Sequence, residues 1–177
     1  IFMNDGAGLL TESMTTINFD VTSSDDSGNY GSVWTDFDND GDLDLYIAKC
    51  RQGVNDTNDA RRINVMFVND GANNFTESAA TYGIDVSWQS WTSSFGDIDN
   101  DGDLDILITN HDNNSQIFEN DGTGHYTDIT ASTGIDLTDI TPIESIIEDF
   151  DNDGYADLLI TGSTHRYYHN NGDKTFT

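Results

Sequence analysis

DFDNDGDLDLYIA, residues 36–48, sets five carboxylates into nine positions and then runs directly into a short apolar segment. The arrangement returns as DIDNDGDLDILIT at 97–109 and as DFDNDGYADLLIT at 149–161. Two carboxylates about 4 Å apart repel by about 4 kcal/mol at an effective dielectric near 20. Four gathered into one turn therefore need a cation. Only oxygen donors are on offer, and Ca²⁺ takes about six to eight oxygens at roughly 2.3–2.6 Å, whereas Mg²⁺ demands stricter octahedral geometry and tends to keep its waters. The spacing predicts three calcium sites, one ion per loop, with carboxylates at positions one, three, five and nine. These are Asp36, Asp38, Asp40 and Asp44; Asp97, Asp99, Asp101 and Asp105; and Asp149, Asp151, Asp153 and Asp157. Position seven reads Asp42, Asp103 and Tyr155, and a tyrosine fits there if that position offers its backbone carbonyl. Gly41, Gly102 and Gly154 supply the sharp turn, and Asn39, Asn100 and Asn152 tolerate the left-handed region.

An EF-hand would need a bidentate Glu at position twelve and helices on both sides. Position twelve here is Ile47, Ile108 or Ile160, and the flanking runs are short and branched, which predicts strands. Each loop is preceded by SVWTD, SSFGD or SIIED, which predicts a strand leading in, with Trp34, Phe95 and the loop residues Phe37, Ile98 and Phe150 packing sheet against sheet. A third run ends in a turn, as VMFVNDG, QIFENDG and RYYHNNG, and IFMNDG at the start of the chain is the same element. Asn followed by Asp or Gly at such a corner is a hairpin signal. A fourth strand follows as FTES, YTDI and KTFT. Four short antiparallel strands, repeated after 61 and then 52 residues, describe a propeller blade better than a solenoid coil.

These loops combined with NDG hairpins, in this order, resemble the FG-GAP/VCBS repeat family, and the likeness covers essentially the whole chain. The resemblance implies an all-β, calcium-stabilised β-propeller of about seven blades, with the metal loop joining the first and second strands of each. The expected organisation is a single repeat domain over 1–177: a half blade at 1–20, then blades at 21–85, 86–136 and 137–177. Three and a half blades fall short of the four to eight that close a ring. Unpaired edges recruit other chains. A fragment of a longer propeller, closure with a second chain and an open head-to-tail array all remain open, with other copies of the chain or a partner protein as the expected partners.

Charge narrows the remaining choices. The formal net charge is -27, with 33 acidic residues of which only five are Glu. Three bound ions would bring it to about -21. Nucleic acid is an improbable partner for such a surface. No apolar run is long enough for a membrane-spanning helix, so membrane insertion is not expected. Sites of this kind load where calcium is abundant, which points to an extracellular or cell-surface location. Sequons at Asn55, Asn74 and Asn113 are compatible with glycosylation there, and Cys50 alone cannot form an internal disulfide.

The segment between the second and third strands of the first unit is longer than its counterparts and carries Lys49, Arg51, Arg61 and Arg62, four of only six basic residues. It is either a tolerated insertion or a binding loop for an acidic glycan or an acidic face of a neighbour. Catalysis has no support: there is no GxSxG, the four His are scattered, and most aspartates are committed to metal. The reading is a non-catalytic structural, adhesive or self-assembling module. The alternatives are a lectin-like carbohydrate binder, marked by exposed aromatics such as Tyr82, Trp88 or Trp91, and the propeller part of a polysaccharide-degrading enzyme.

Overall fold

The computed structural model describes residues 2–13, 17, 28–138 and 142–177. Among the described residues there are four antiparallel sheets. The first is a hairpin of β1 (Phe2–Asn4) and β2 (Leu10–Glu12). The second has four strands in sequence order, β3 (Asn29–Thr35), β4 (Asp44–Lys49), β5 (Val65–Asn69) and β6 (Phe75–Glu77). The third repeats it with β7 (Ser90–Gly96), β8 (Asp105–Asn110), β9 (Gln116–Asn120) and β10 (Tyr126–Asp128). The fourth pairs β11 (Pro142–Glu148), β12 (Asp157–Gly162) and β13 (Arg166–Tyr168). There the expected fourth strand is reduced to an isolated bridge between Asn170 and Phe176. Residues 1, 14–16, 18–27 and 139–141, which fall within the expected half blade and the starts of the first and third blades, lie outside the described residues.

Each acidic loop joins the first and second strands of its sheet. The register closes on the loop ends, with Thr35 opposite Asp44, Gly96 opposite Asp105 and Glu148 opposite Asp157. The left-handed residues fall at Asn39, Asn100 and Asn152, with φ of 59°, 62° and 61°, where a short polar side chain lowers the cost of that conformation.

The second strands β4 and β8 are buried on both faces, which is why they read as apolar runs without alternation. From β4, Tyr46 packs with Met66, Ile84, Ile106, Ile108 and Phe118, so one apolar layer fills the space between the second and third sheets. From β8, Leu107 joins Ile117, Leu137, Ile147, Leu158 and Ile160 in the layer between the third and fourth sheets. First strands meet directly, β3 on β7 and β7 on β11. A Cβ on Gly31 would lie 2.9 Å from Thr92 Cα, and one on Gly96 would lie 2.5 Å from Ile147 Cγ2. Farther out, two elements too short for a periodic sequence signal fill the gaps: a helical turn at Ala79–Tyr82 and a 3-10 turn at Thr130–Ser132, followed by Ile135 and Leu137. Successive sheets are thus close at their first strands and spaced apart toward their last.

The expected packing residues divide. Phe37 and Ile98, second in their loops, are 0% and 1% exposed and plug the apolar layer between their own sheet and the next. Phe95 is partly buried. Trp34 and Phe150 are 45% and 43% exposed, contrary to expectation. Phe150 faces onward from the fourth sheet, where among the described residues its ring meets Tyr167. Trp34 faces back from the second sheet, where its described ring contact is Phe75. Burial at these positions comes from the adjoining sheet, not from the residue's own.

Candidate metal centre

In each loop the chain turns tightly enough to bring the carboxylates of positions one, three and five together. One oxygen from each of Asp36, Asp38 and Asp40, of Asp97, Asp99 and Asp101, and of Asp149, Asp151 and Asp153 lies within 4.8 Å of its partners. Backbone N–H groups hold the first carboxylate: Gly41 N donates to Asp36 Oδ2 at 3.1 Å, Gly102 N to Asp97 Oδ2 at 3.0 Å and Gly154 N to Asp149 Oδ2 at 3.0 Å. The residue at position seven donates its N–H to the carboxylate at position five in all three loops, at 2.9–3.0 Å.

The side chains at position seven turn away from this cluster. Asp42, Asp103 and Tyr155 lie against the hairpin glycines Gly71, Gly122 and Gly172, so aspartate and tyrosine are interchangeable there. The aspartates at position nine are buried, at 0–1% exposure. Asp44, Asp105 and Asp157 each accept, on Oδ1, the N–H of the hairpin asparagine, Asn69 and Asn120 at the ends of β5 and β9 and Asn170 two residues past β13, at 2.7–2.8 Å. On the other oxygen Asp105 accepts from Ile98 N and Asp157 from Phe150 N. Position nine therefore ties the loop to the third strand.

In the first loop Asp36 Oδ1, Asp38 Oδ1 and Asp44 Oδ2 are buried without any hydrogen-bond donor. Buried carboxylate oxygens without partners are costly, and three hard oxygens in one turn suit a divalent cation such as Ca²⁺. The donor set fits that ion. Without a metal, burial, followed by the charges of Asp40 and Asp36, raises the carboxyl of Asp38. Burial and neighbouring loop carboxylates push Asp44 and Asp105 up to about 7. Asp157 behaves differently: burial acts to raise it, but hydrogen bonds from Asn170 N, the Tyr167 hydroxyl and Phe150 N, with His169 nearby, bring it below the usual value.

Two asparagines per repeat link each unit to the next. The asparagine at loop position four reaches forward: Asn39 Nδ2 donates to Gly102 O at 3.3 Å and Asp103 Oδ1 at 2.7 Å, and Asn100 Nδ2 to Gly154 O at 2.8 Å. The hairpin asparagine reaches back: Asn120 Nδ2 donates to Phe37 O at 2.9 Å and Asn170 Nδ2 to Ile98 O at 2.8 Å. Sequence reasoning missed this clamp, although the signal was visible. Asn4, Asn69, Asn120 and Asn170 recur at a corner where the neighbouring residues vary.

The residue just before that asparagine varies from unit to unit. It is Val68, Glu119 or His169. His169 Nδ1 lies 3.2 Å from Asp151 Oδ2 and 3.3 Å from Asp157 Oδ1. Glu119 Oε1 receives Lys174 Nζ at 2.7 Å, and the same ammonium lies 2.5 Å from Asp99 Oδ2.

The basic segment that starts at the end of β4 directs much of its charge inward. Lys49 and Arg62 are 1% and 3% exposed. Arg62 donates to Ser87 O, Val54 O and Asp112 Oδ2, closing the segment onto the third sheet's approach. Arg61 forms a two-point pair with Asp59. Cys50 is buried, and burial raises its thiol. Of the aromatics weighed for carbohydrate binding, Trp91 stacks on His111 at 5.4 Å, Tyr82 lies against Phe37, and Trp88 is exposed. Among the described residues no helix is long and apolar enough to cross a membrane.

No curated protein matches the chain. The FG-GAP-like repeat model matches twice, over residues 36–108 and 97–160, each match running from one acidic loop into the strand after the next. The two matches together span 36–160 and follow the loop-to-loop unit that the hydrogen bonds define, and the chain belongs to the FG-GAP-like repeat family.

Proposed function

We propose that this repeat module is a calcium-stabilised, propeller-type structure that acts outside the cell in a structural or adhesive role and carries out no catalysis. The observation that carries the calcium reading is the set of buried, donorless oxygens on Asp36, Asp38 and Asp44. An ion there joins the first two strands of a sheet. Through Asp44 and its equivalents it also joins the third strand, and through the asparagine clamps it stiffens the contact with the next sheet. The metal is a staple, and positions one, three, five and nine with the carbonyl of position seven are its ligands.

The adhesive part rests on the onward face of the fourth sheet. Ile146, Leu159 and Tyr167 lie side by side across its three strands. The same positions of β8 and β9 are Leu107 and Ile117, fully buried because the next sheet covers them. On the fourth sheet Ile146 and Tyr167 are 42% and 48% exposed, with Phe150 beside them. The repeat itself defines what fits there: another sheet of the same kind, from a further repeat, a second copy of the chain or a partner protein.

Native mass spectrometry in calcium tests the first part. Three bound ions are expected, with one lost in each of Asp38→Ala, Asp99→Ala and Asp151→Ala; no specific ion on the folded protein refutes it. Sedimentation velocity tests the second. Calcium-dependent oligomers should dissociate in Leu159→Asp, and a monomer at every concentration refutes self-association.

A further inference from the structure

Four hairpins place a residue in the left-handed region at the same turn position: Gly8, Asn73, Gly124 and Lys174, with φ of 91°, 63°, 82° and 67°. Gly and Asn are the usual occupants of that conformation, and a lysine is disfavoured by its Cβ. Its side chain accounts for its presence. The hairpins of Gly124 and Lys174 pack over the loop of the preceding unit. Gly124 lies against the Phe37 ring of the first loop, and Lys174, one unit on, reaches Asp99 Oδ2 of the middle loop at 2.5 Å and Glu119 Oε1 at 2.7 Å. Asp99 is the third-position carboxylate, with a side chain only 8% exposed. Glu119 stands where the first unit has Val68, so the middle loop alone among the described loops has a lysine ammonium paired with both a loop carboxylate and a carboxylate from its own third strand.

We propose that Lys174 is a resident cation that sets the order of calcium loading, so that the middle loop fills after the first. The proposal rests on the calcium reading above. For an ion to take Asp99, the ammonium must give up that oxygen and retreat onto Glu119. The lysine side chain is 40% exposed, which leaves it room to withdraw toward solvent. A single positive charge left a few ångströms from a divalent ion weakens binding at that loop by on the order of tenfold. When calcium is scarce, the same ammonium neutralises part of the middle loop, which stays assembled while the first loop bears its repulsion unrelieved.

Backbone amides read the loops separately, because Gly41, Gly102 and Gly154 each donate to the first carboxylate of their own loop. In a calcium titration of the ¹⁵N-labelled chain, the Gly102 amide is expected to shift at about ten times the calcium concentration that shifts Gly41. Lys174→Asn, which copies Asn73, should bring the Gly102 midpoint down to that of Gly41 and leave Gly41 unchanged. Should K174N fail to fold, Lys174→Gly, which copies Gly124, makes the same test. A Gly102 midpoint that is unaltered in the variants, or already at or below Gly41 in the native chain, overturns the proposal while the calcium reading stands. No shift at any of the three amides overturns both.

Discussion

Phe37→Ala removes the ring that fills the space between the second and third sheets, and Phe150→Ala removes the same ring, at the same loop position, from a face on which no described sheet packs. Phe37 is 0% exposed; its ring centre lies 4.8 Å from that of Tyr82 and 6.4 Å from that of Tyr126. Truncating such a phenylalanine costs about 3–5 kcal/mol from lost transfer energy plus the residual cavity. The cavity here cannot collapse easily, since Phe37 O is also fixed by Asn120. At about 2–4 °C per kcal/mol for a chain of this size, the melting midpoint should fall by roughly 6–20 °C. Phe150, 43% exposed and touching Tyr167, should cost about 1 kcal/mol or less. Both variants keep all loop carboxylates, so melting in saturating calcium, followed by near-ultraviolet circular dichroism, compares packing alone. Equal shifts for the two would refute the claim that the second loop residue acts as a plug between successive sheets.

Asn170→Ala leaves the carbonyls of Ile98 and Ala156 without their donor and should cost about 1–3 kcal/mol by denaturant unfolding, whereas Asn171→Ala at the exposed neighbouring position should cost little. Gly31→Ala drives a methyl to 2.9 Å from Thr92 Cα and should destabilise by about 1–3 kcal/mol, a loss that a neutral result in the same assay would contradict. In chelator, stability should fall as pH rises from about 4 to about 7. Asp44 and Asp105, pushed up to about 7, hold protons in the folded state that the unfolded chain has already released above about 3.8. The native state thus binds more protons than the unfolded state across that window, and the slope is negative. Calcium should abolish this slope, because it takes the ionised form.

The loops were legible because their chemistry is local: nine residues specify the turn, the donors and the left-handed asparagine. The strands were legible for a similar reason, since LYIA, ILIT and LLIT are too short and branched for helices and β4, β8 and β12 bear this out. Exposure was not legible. Trp34 and Phe95 hold the same place in their repeats, yet one is largely exposed and the other packs on Tyr46, because the covering sheet decides and a single repeat does not contain it. The clamps of Asn120 and Asn170 span 83 and 72 residues, so the recurring asparagine is visible in the sequence but its partners are not. Lys49 and Arg62 suggested an outward basic loop by composition, but a backbone carbonyl needing a donor looks the same in sequence whether it faces water or Arg62.

Thermal unfolding in excess chelator and in excess calcium tests the central claim, that the three loops are metal staples for the sheets. Each filled site adds about 2.7 kcal/mol when free calcium is a hundredfold above its dissociation constant. Three such sites should raise the midpoint by roughly 15–30 °C. Superimposable curves would contradict the account.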